Sequence, residues 1–131
     1  MSDLGKYDES ETMNRHALEV RDKVLGKDHP DTLASANNLA LVLQYQGKYD
    51  ESETVNRRAL EGQEKILGAD HPDTLMSVSH LATVLWRQGK YSLSQAMNRR
   101  ALEEREKVLG PEHPDTLASL NTLAIVLEYQ G

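Results

Sequence analysis

The sequence predicts an all-α fold, a stack of antiparallel helix pairs, and three observations predict it. The first is self-similarity: Gly5-Lys6-Tyr7 returns as Gly47-Lys48-Tyr49 and Gly89-Lys90-Tyr91, each time 42 residues on. His29-Pro30-Asp31-Thr32-Leu33 returns in the same way as His71 to Leu75 and His113 to Leu117. About two thirds of positions agree between the first copy and either of the others. The second is that apolar residues in each copy fall at helical spacing in two runs. The third is composition: 131 residues hold no Phe, one Trp and five Tyr, so Leu, Val, Ala and Met must build the core. A period of this length marks a solenoid, because a lone amphipathic hairpin cannot cover its own apolar face while stacked copies bury a continuous core.

The first helix of each copy is typified by Tyr49 to Leu67, where Val55, Ala59, Leu60, Ile66 and Leu67 lie near helical spacing. Asp50-Glu51-Ser52-Glu53 places negative charge at the positive end of the helix dipole. Glu61 sits four residues before Lys65, a supporting ion-pair spacing. Gly68 then offers the C′ position, where a left-handed conformation ends a helix without a Cβ penalty. The second helix starts at Pro72, which suits the first helical position because its missing N–H is an orphan there, with Asp73 in the first turn. Leu75, Val78, Leu81, Ala82, Val84 and Leu85 follow, and Gln88-Gly89 closes the helix. The short Gly89-Lys90 link makes the helices on either side antiparallel neighbours. Ala17, Ala59 and Ala101, with Ala40, Ala82 and Ala124, are small in every copy, as close helix approach demands.

Asn38-Leu39-Ala40 through Gln46-Gly47-Lys48-Tyr49 to Arg58-Ala59-Leu60 resembles the tetratricopeptide (TPR) signature, over nearly the whole chain. The resemblance implies a right-handed superhelical solenoid in which the helix ending in Gln-Gly is helix A and the helix opening at Tyr is helix B. The six helices then run B-A-B-A-B-A. The 42-residue form with Leu-Gly-x-Asp/Glu-His-Pro is similar to kinesin light chain repeats and to TPR arrays of fungal and bacterial NLR-like proteins. One continuous array over residues 1–131 is expected, with repeats 5–46, 47–88 and 89–130. Residues 1–4 read as an N-terminal tail or an expression remnant.

A net charge of −6 argues against a nucleic-acid surface and an anionic membrane, since phosphate binding needs clustered Lys and Arg. No run approaches the roughly 18 to 20 apolar residues of a membrane span. The absence of cysteine removes disulfides and thiolate chemistry and fits a cytoplasmic protein. His29, His71 and His113 are the motif-like side chains. Helices packed roughly 8 to 10 Å apart hold equivalent residues too far apart to share a metal with bonds of about 2 Å. Each His is therefore expected to cap or buttress its loop, with no metal and no cofactor. Asp31 and Thr32 beside His29 have no nucleophile or second carboxylate at a repeating offset, so no enzyme is expected. Asn14, Asn56 and Asn98 are poor helix-interior residues whose recurrence needs a reason. The alternatives are a hydrogen-bonded bridge to a neighbouring helix, an exposed position, or a polar pin of repeat register. Arg57-Arg58 and Arg99-Arg100, with Glu61, Glu64, Glu103, Glu104 and Glu106 near by, suggest a solvated, ion-paired convex face.

Comparing the copies locates candidate binding residues. Helix A is constant at Leu39, Ala40, Val42 and Leu43 but varies elsewhere: Asn37/Ser79/Asn121, Asn38/His80/Thr122, Leu41/Thr83/Ile125, Gln44/Trp86/Glu128 and Tyr45/Arg87/Tyr129. The resemblance implies that these positions line a concave groove that takes an extended peptide of a protein partner, and that Asn38 can grip a peptide backbone. Trp86, Tyr45 and Tyr129 would be apolar anchors and Arg87 the one cation. The array opens on a B helix and closes on an A helix, so head-to-tail self-association is the rival reading. Its surfaces would be Met13, Ala17 and Leu18 on one side and Leu117, Leu120, Leu123 and Leu127 on the other.

Overall fold

The computed structural model describes the backbone of residues 3–130 and the side chains of residues 5–128. Six helices follow one another: α1 (Asp3–Leu25), α2 (Pro30–Tyr45), α3 (Tyr49–Ile66), α4 (Pro72–Arg87), α5 (Tyr91–Leu109) and α6 (Pro114–Gln130). No strand occurs among the described residues. The order is the expected one, B helices α1, α3 and α5 alternating with A helices α2, α4 and α6. Helix α1 differs from its copies in starting at Asp3, so Asp3 and Leu4 of the expected tail are helical. Gly47 and Gly89 take φ of +81° and +80° because the chain turns there out of an A helix. At Gly5 the helix runs straight through.

The His-Pro-Asp element is a helix start. His29 Nδ1 accepts a hydrogen bond from the Asp31 backbone N–H at 3.1 Å, and His71 and His113 repeat this with Asp73 and Asp115 at 3.1 Å. Each imidazole thus satisfies an orphan donor of the first turn, and the proline that follows has none to satisfy.

The helices form two compact units, residues 1–66 and 67–131. In the first, α2 packs on both α1 and α3. Leu18, Ala36, Leu39, Leu43 and Ala59 make its core, with Val55 against them. Gly62 brings α3 close to α2: a Cβ there would lie 2.5 Å from Leu33 Cδ2. In the second unit α5 packs on α4 and on α6. Leu75, Val78, Leu81, Ala82, Leu85, Ala101, Leu123 and Val126 are buried.

A serine on each later B helix ties it to the A helix before it. Ser52 Oγ donates to the Ala40 carbonyl at 2.6 Å, and Ser94 Oγ to the Ala82 carbonyl at 2.7 Å. The recurrent asparagine stands one turn further on. Asn14 Nδ2 donates to the Ser10 carbonyl at 2.8 Å and to Ser10 Oγ at 3.2 Å, and Asn98 Nδ2 reaches Ser94 Oγ at 3.5 Å. Asn14 and Asn98 therefore bond within their own helices, while Asn56 is buried with its Oδ1 unpartnered among the described residues. Of the paired arginines, Arg57 Nε bonds Glu53 at 2.8 Å, one turn earlier on its own helix, and Arg58 Nη2 reaches Asp22 on α1 at 2.8 Å.

Candidate functional site

In the second unit the A helices α4 and α6 flank α5 and leave a groove between them. One end is a cleft of about 160 Å³ lined by Ala82, Thr83 and Trp86 of α4, Ser94 and Asn98 of α5, and Thr122, Ile125 and Val126 of α6. It adjoins a cleft of about 290 Å³ whose lining includes Met76, Ser79 and His80 of α4, Arg105 of α5, and Asp115 and Ser119 of α6. Thr83, Asn98 and Thr122 line both, so the two are one groove, apolar at the Trp86 end and charged at the Arg105 end. Six expected groove residues are thereby brought together: Ser79, His80, Thr83, Trp86, Thr122 and Ile125.

The remaining groove candidates fall elsewhere. Asn121 and Glu128 are exposed on α6. Tyr129 is in α6, but its side chain lies outside the described residues. Asn37, Asn38, Leu41, Gln44 and Tyr45 belong to α2, the one A helix of the first unit. Tyr45 there stacks on Tyr7 of α1, ring centroids 5.5 Å apart. Arg87 is exposed, and its guanidinium sits 5.4 Å from the Trp86 ring centroid, a cation–π contact at the rim.

The cation inside the groove is Arg105, which comparison of the A helices alone missed. Only 9 % of it is exposed. Its Nη1 donates to Ser119 Oγ at 2.6 Å and to Ser79 Oγ at 3.0 Å, and it forms no ion pair among the described residues. Burial lowers its pKa, opposed by the charge of Asp115. Burial, and then the charge of Arg105, also push the pKa of His80 down, which favours its neutral form. His80 Nδ1 is buried and has no hydrogen-bond partner among the described residues. The signal available in the sequence was position 21/63/105, Arg, Gln and Arg, on the same register as Ala101 and opposite an invariant serine at 35, 77 and 119.

Of the expected self-association residues, Met13 is 71 % exposed and Leu117, Leu120 and Leu127 are exposed. Ala17 is half-buried. Leu18 and Leu123 are buried within their own units, where Leu18 packs in the α1–α2–α3 core, so neither belongs to an outer surface. Among the described residues no group of three or more His, Cys, Asp or Glu is placed to hold a metal ion. No helix among them is long and apolar enough to cross a membrane.

Alternating helix pairs in a tandem repeat, with a groove between like helices, define a helical-repeat binding scaffold. The tetratricopeptide repeat model matches residues 2–65, 32–103 and 75–131. The chain belongs to the tetratricopeptide repeat family, whose repeats mediate protein–protein interaction or scaffolding and are typically non-enzymatic. Among solved structures it is similar to kinesin light chain TPR-like repeats of Podosopora anserina, at 28% identity and a TM-score of 0.87 over 93% of this chain and 58% of that one. A point variant of the same protein gives 27% identity and a TM-score of 0.87, over 93% and 57%. BtubC (BKLC) from P. vanneervenii shares the fold, at 20% identity and a TM-score of 0.85, over 96% and 50%. The chain thus spans a little over half the length of the first two. No curated protein matches it.

Proposed function

We propose that the chain is a protein-binding module whose α4–α6 groove takes a peptide segment carrying an apolar side chain and, beside it, a carboxylate. The observation that carries this reading is Arg105. A guanidinium moved out of water costs several kcal/mol unless a partner charge offsets it. Here two serine hydroxyls bond it, Asp115 in the same cleft acts on it only through space, and no carboxylate among the described residues forms an ion pair with it. A carboxylate from a bound segment would supply the missing charge in a site where charge-assisted bonds are strong. The cleft between Trp86, Ile125 and Val126 is of a size to take one apolar side chain, and its lining matches the aromatic anchors of binding hot spots. Thr83 does not compete for the ligand, since its hydroxyl donates to the Ser79 carbonyl at 3.1 Å.

A peptide array varying the apolar and acidic positions, screened against the wild-type chain, Trp86→Ala and Arg105→Gln, tests the proposal. Binding is expected only where both features are present, with a loss of at least about tenfold in either variant. Equal binding by all three proteins, or indifference to the acidic position, would refute it.

A further inference from the structure

We infer that the charged end of the groove also reads a basic side chain, so that the bound segment carries, in order along it, an apolar, an acidic and a basic residue. The inference rests on the groove reading above and adds a third contact, at Asp115. The lining of the groove follows the axis of α6: Ile125 at the apolar end, then Thr122, then Ser119, which holds Arg105, and last Asp115. Asp115 forms no ion pair among the described residues, and its charge acts on Arg105 through space. A carboxylate brought to Arg105 therefore also approaches Asp115. Like charges set side by side in an interface weaken it, and a cation on the same segment, seated against Asp115, offsets that repulsion.

The α4 wall of the cleft fits the stem of such a residue. Position 34/76/118 reads Ala, Met, Ala. Met76 is 51 % exposed and lines the same cleft as Asp115. Its thioether chain is an adaptable apolar shelf, on which the methylenes of a Lys can lie while the ammonium stays hydrated beside Asp115. Asp31 and Asp73, which hold the place of Asp115 in α2 and α4, are exposed as well, so the exposure of Asp115 belongs to the position. Helix geometry sets the spacing. Four residues separate Ser119 from Asp115, about 6 Å along α6. An extended segment advances about 3.3 Å per residue and turns every second side chain to one face, so the basic residue falls about two positions beyond the acidic one. From Ser119 to Ile125 is about 9 Å, which puts the apolar residue roughly two or three positions to the other side.

Fluorescence anisotropy of labelled peptides tests the inference. The peptides carry an apolar residue, Glu and Lys at these spacings, in both chain directions, and are matched by peptides with Gln or Glu in place of the Lys. The wild-type chain should bind the Lys peptide about tenfold more tightly than the one with Glu there. Asp115→Asn should abolish that preference and Asp115→Lys should reverse it, with circular dichroism as the folding control. Binding that needs Arg105 but is equal for all three peptides, or a preference for Lys that survives Asp115→Asn, would overturn the inference and leave the groove reading standing. Binding unaffected by Arg105→Gln would overturn the groove reading and this inference with it.

Discussion

Replacing Arg105 with Met separates binding from stability. The guanidinium makes two hydrogen bonds, to Ser119 and Ser79. Bonds to a charged group contribute about 1.5–3 kcal/mol each, so the two together offer roughly 3–6 kcal/mol. Against this stands a desolvation cost of several kcal/mol for a buried ion with no partner charge. Met keeps most of the stem's apolar contact, and the freed serine hydroxyls can turn to their own helix carbonyls. The terms nearly cancel, so Arg105→Met should fall within about 2 kcal/mol of the wild type, with a Tm change of a few degrees in either direction. Peptide binding should nevertheless be lost. Arg21→Met is the control, because Arg21 makes the matching bond to Ser35 but is exposed and lies in the other unit. Thermal unfolding by circular dichroism, paired with calorimetric titration of a bound peptide, reads both quantities. A loss of more than about 4 kcal/mol would show that the hydrogen bonds dominate and that Arg105 is a structural tie. Full retention of binding would refute its role as the anchor.

Three further outcomes follow from the packing. Glu11 accepts bonds from Arg15, Lys48 and Gln46, which pull its pKa from the ordinary 4.5 to about 2. Its contribution is complete above the unfolded pKa and is lost as pH falls from about 4.5 towards 2. Because Arg15 and Lys48 are well exposed, it should amount to about 1 kcal/mol, and Glu11→Gln should flatten acid unfolding curves over that window. Gly62→Ala gains about 1 kcal/mol of helix propensity but drives a methyl onto buried Leu33, an overpacking cost of about 1–3 kcal/mol, so urea denaturation should show net destabilisation relieved by Leu33→Val. Ser94→Ala removes the bond to the Ala82 carbonyl and should cost about 1 kcal/mol in urea denaturation, whereas Ser10→Ala, which loses only a contact from Asn14 of its own helix, should cost less.

The elements were legible because their signals are local. Proline at the first helical position, aspartate beside it and glycine beyond the last turn act within one turn of backbone, and the helices begin and end on them. The three histidines were readable as loop residues for a geometric reason, the spacing between copies, and their capping role followed. What the sequence left hidden depends on which side chains meet across helices. Ser52 and Ser94 look like ordinary helix-surface serines until the Ala40 and Ala82 carbonyls are placed above them. Arg105 was hidden for the same reason: it sits on a B helix, whereas variation among copies directed attention to the A helices. Arg87 stood out by that comparison but faces solvent beside Trp86. Leu18 and Leu123 differ from Met13 and Leu120 only in helical phase, and an error of one position moves a leucine from an outer face to a core.

Under the proposed function a bound segment occupies the α4–α6 groove of the second unit. Amide and indole shifts of the isotope-labelled chain, followed as an apolar-acidic peptide is added, test it most directly. The perturbed signals should cluster at His80, Thr83, Trp86, Asn98, Arg105, Thr122 and Ile125. A peptide that binds but perturbs only the exposed faces of α1 or α6, leaving Arg105 and Trp86 unchanged, would contradict it.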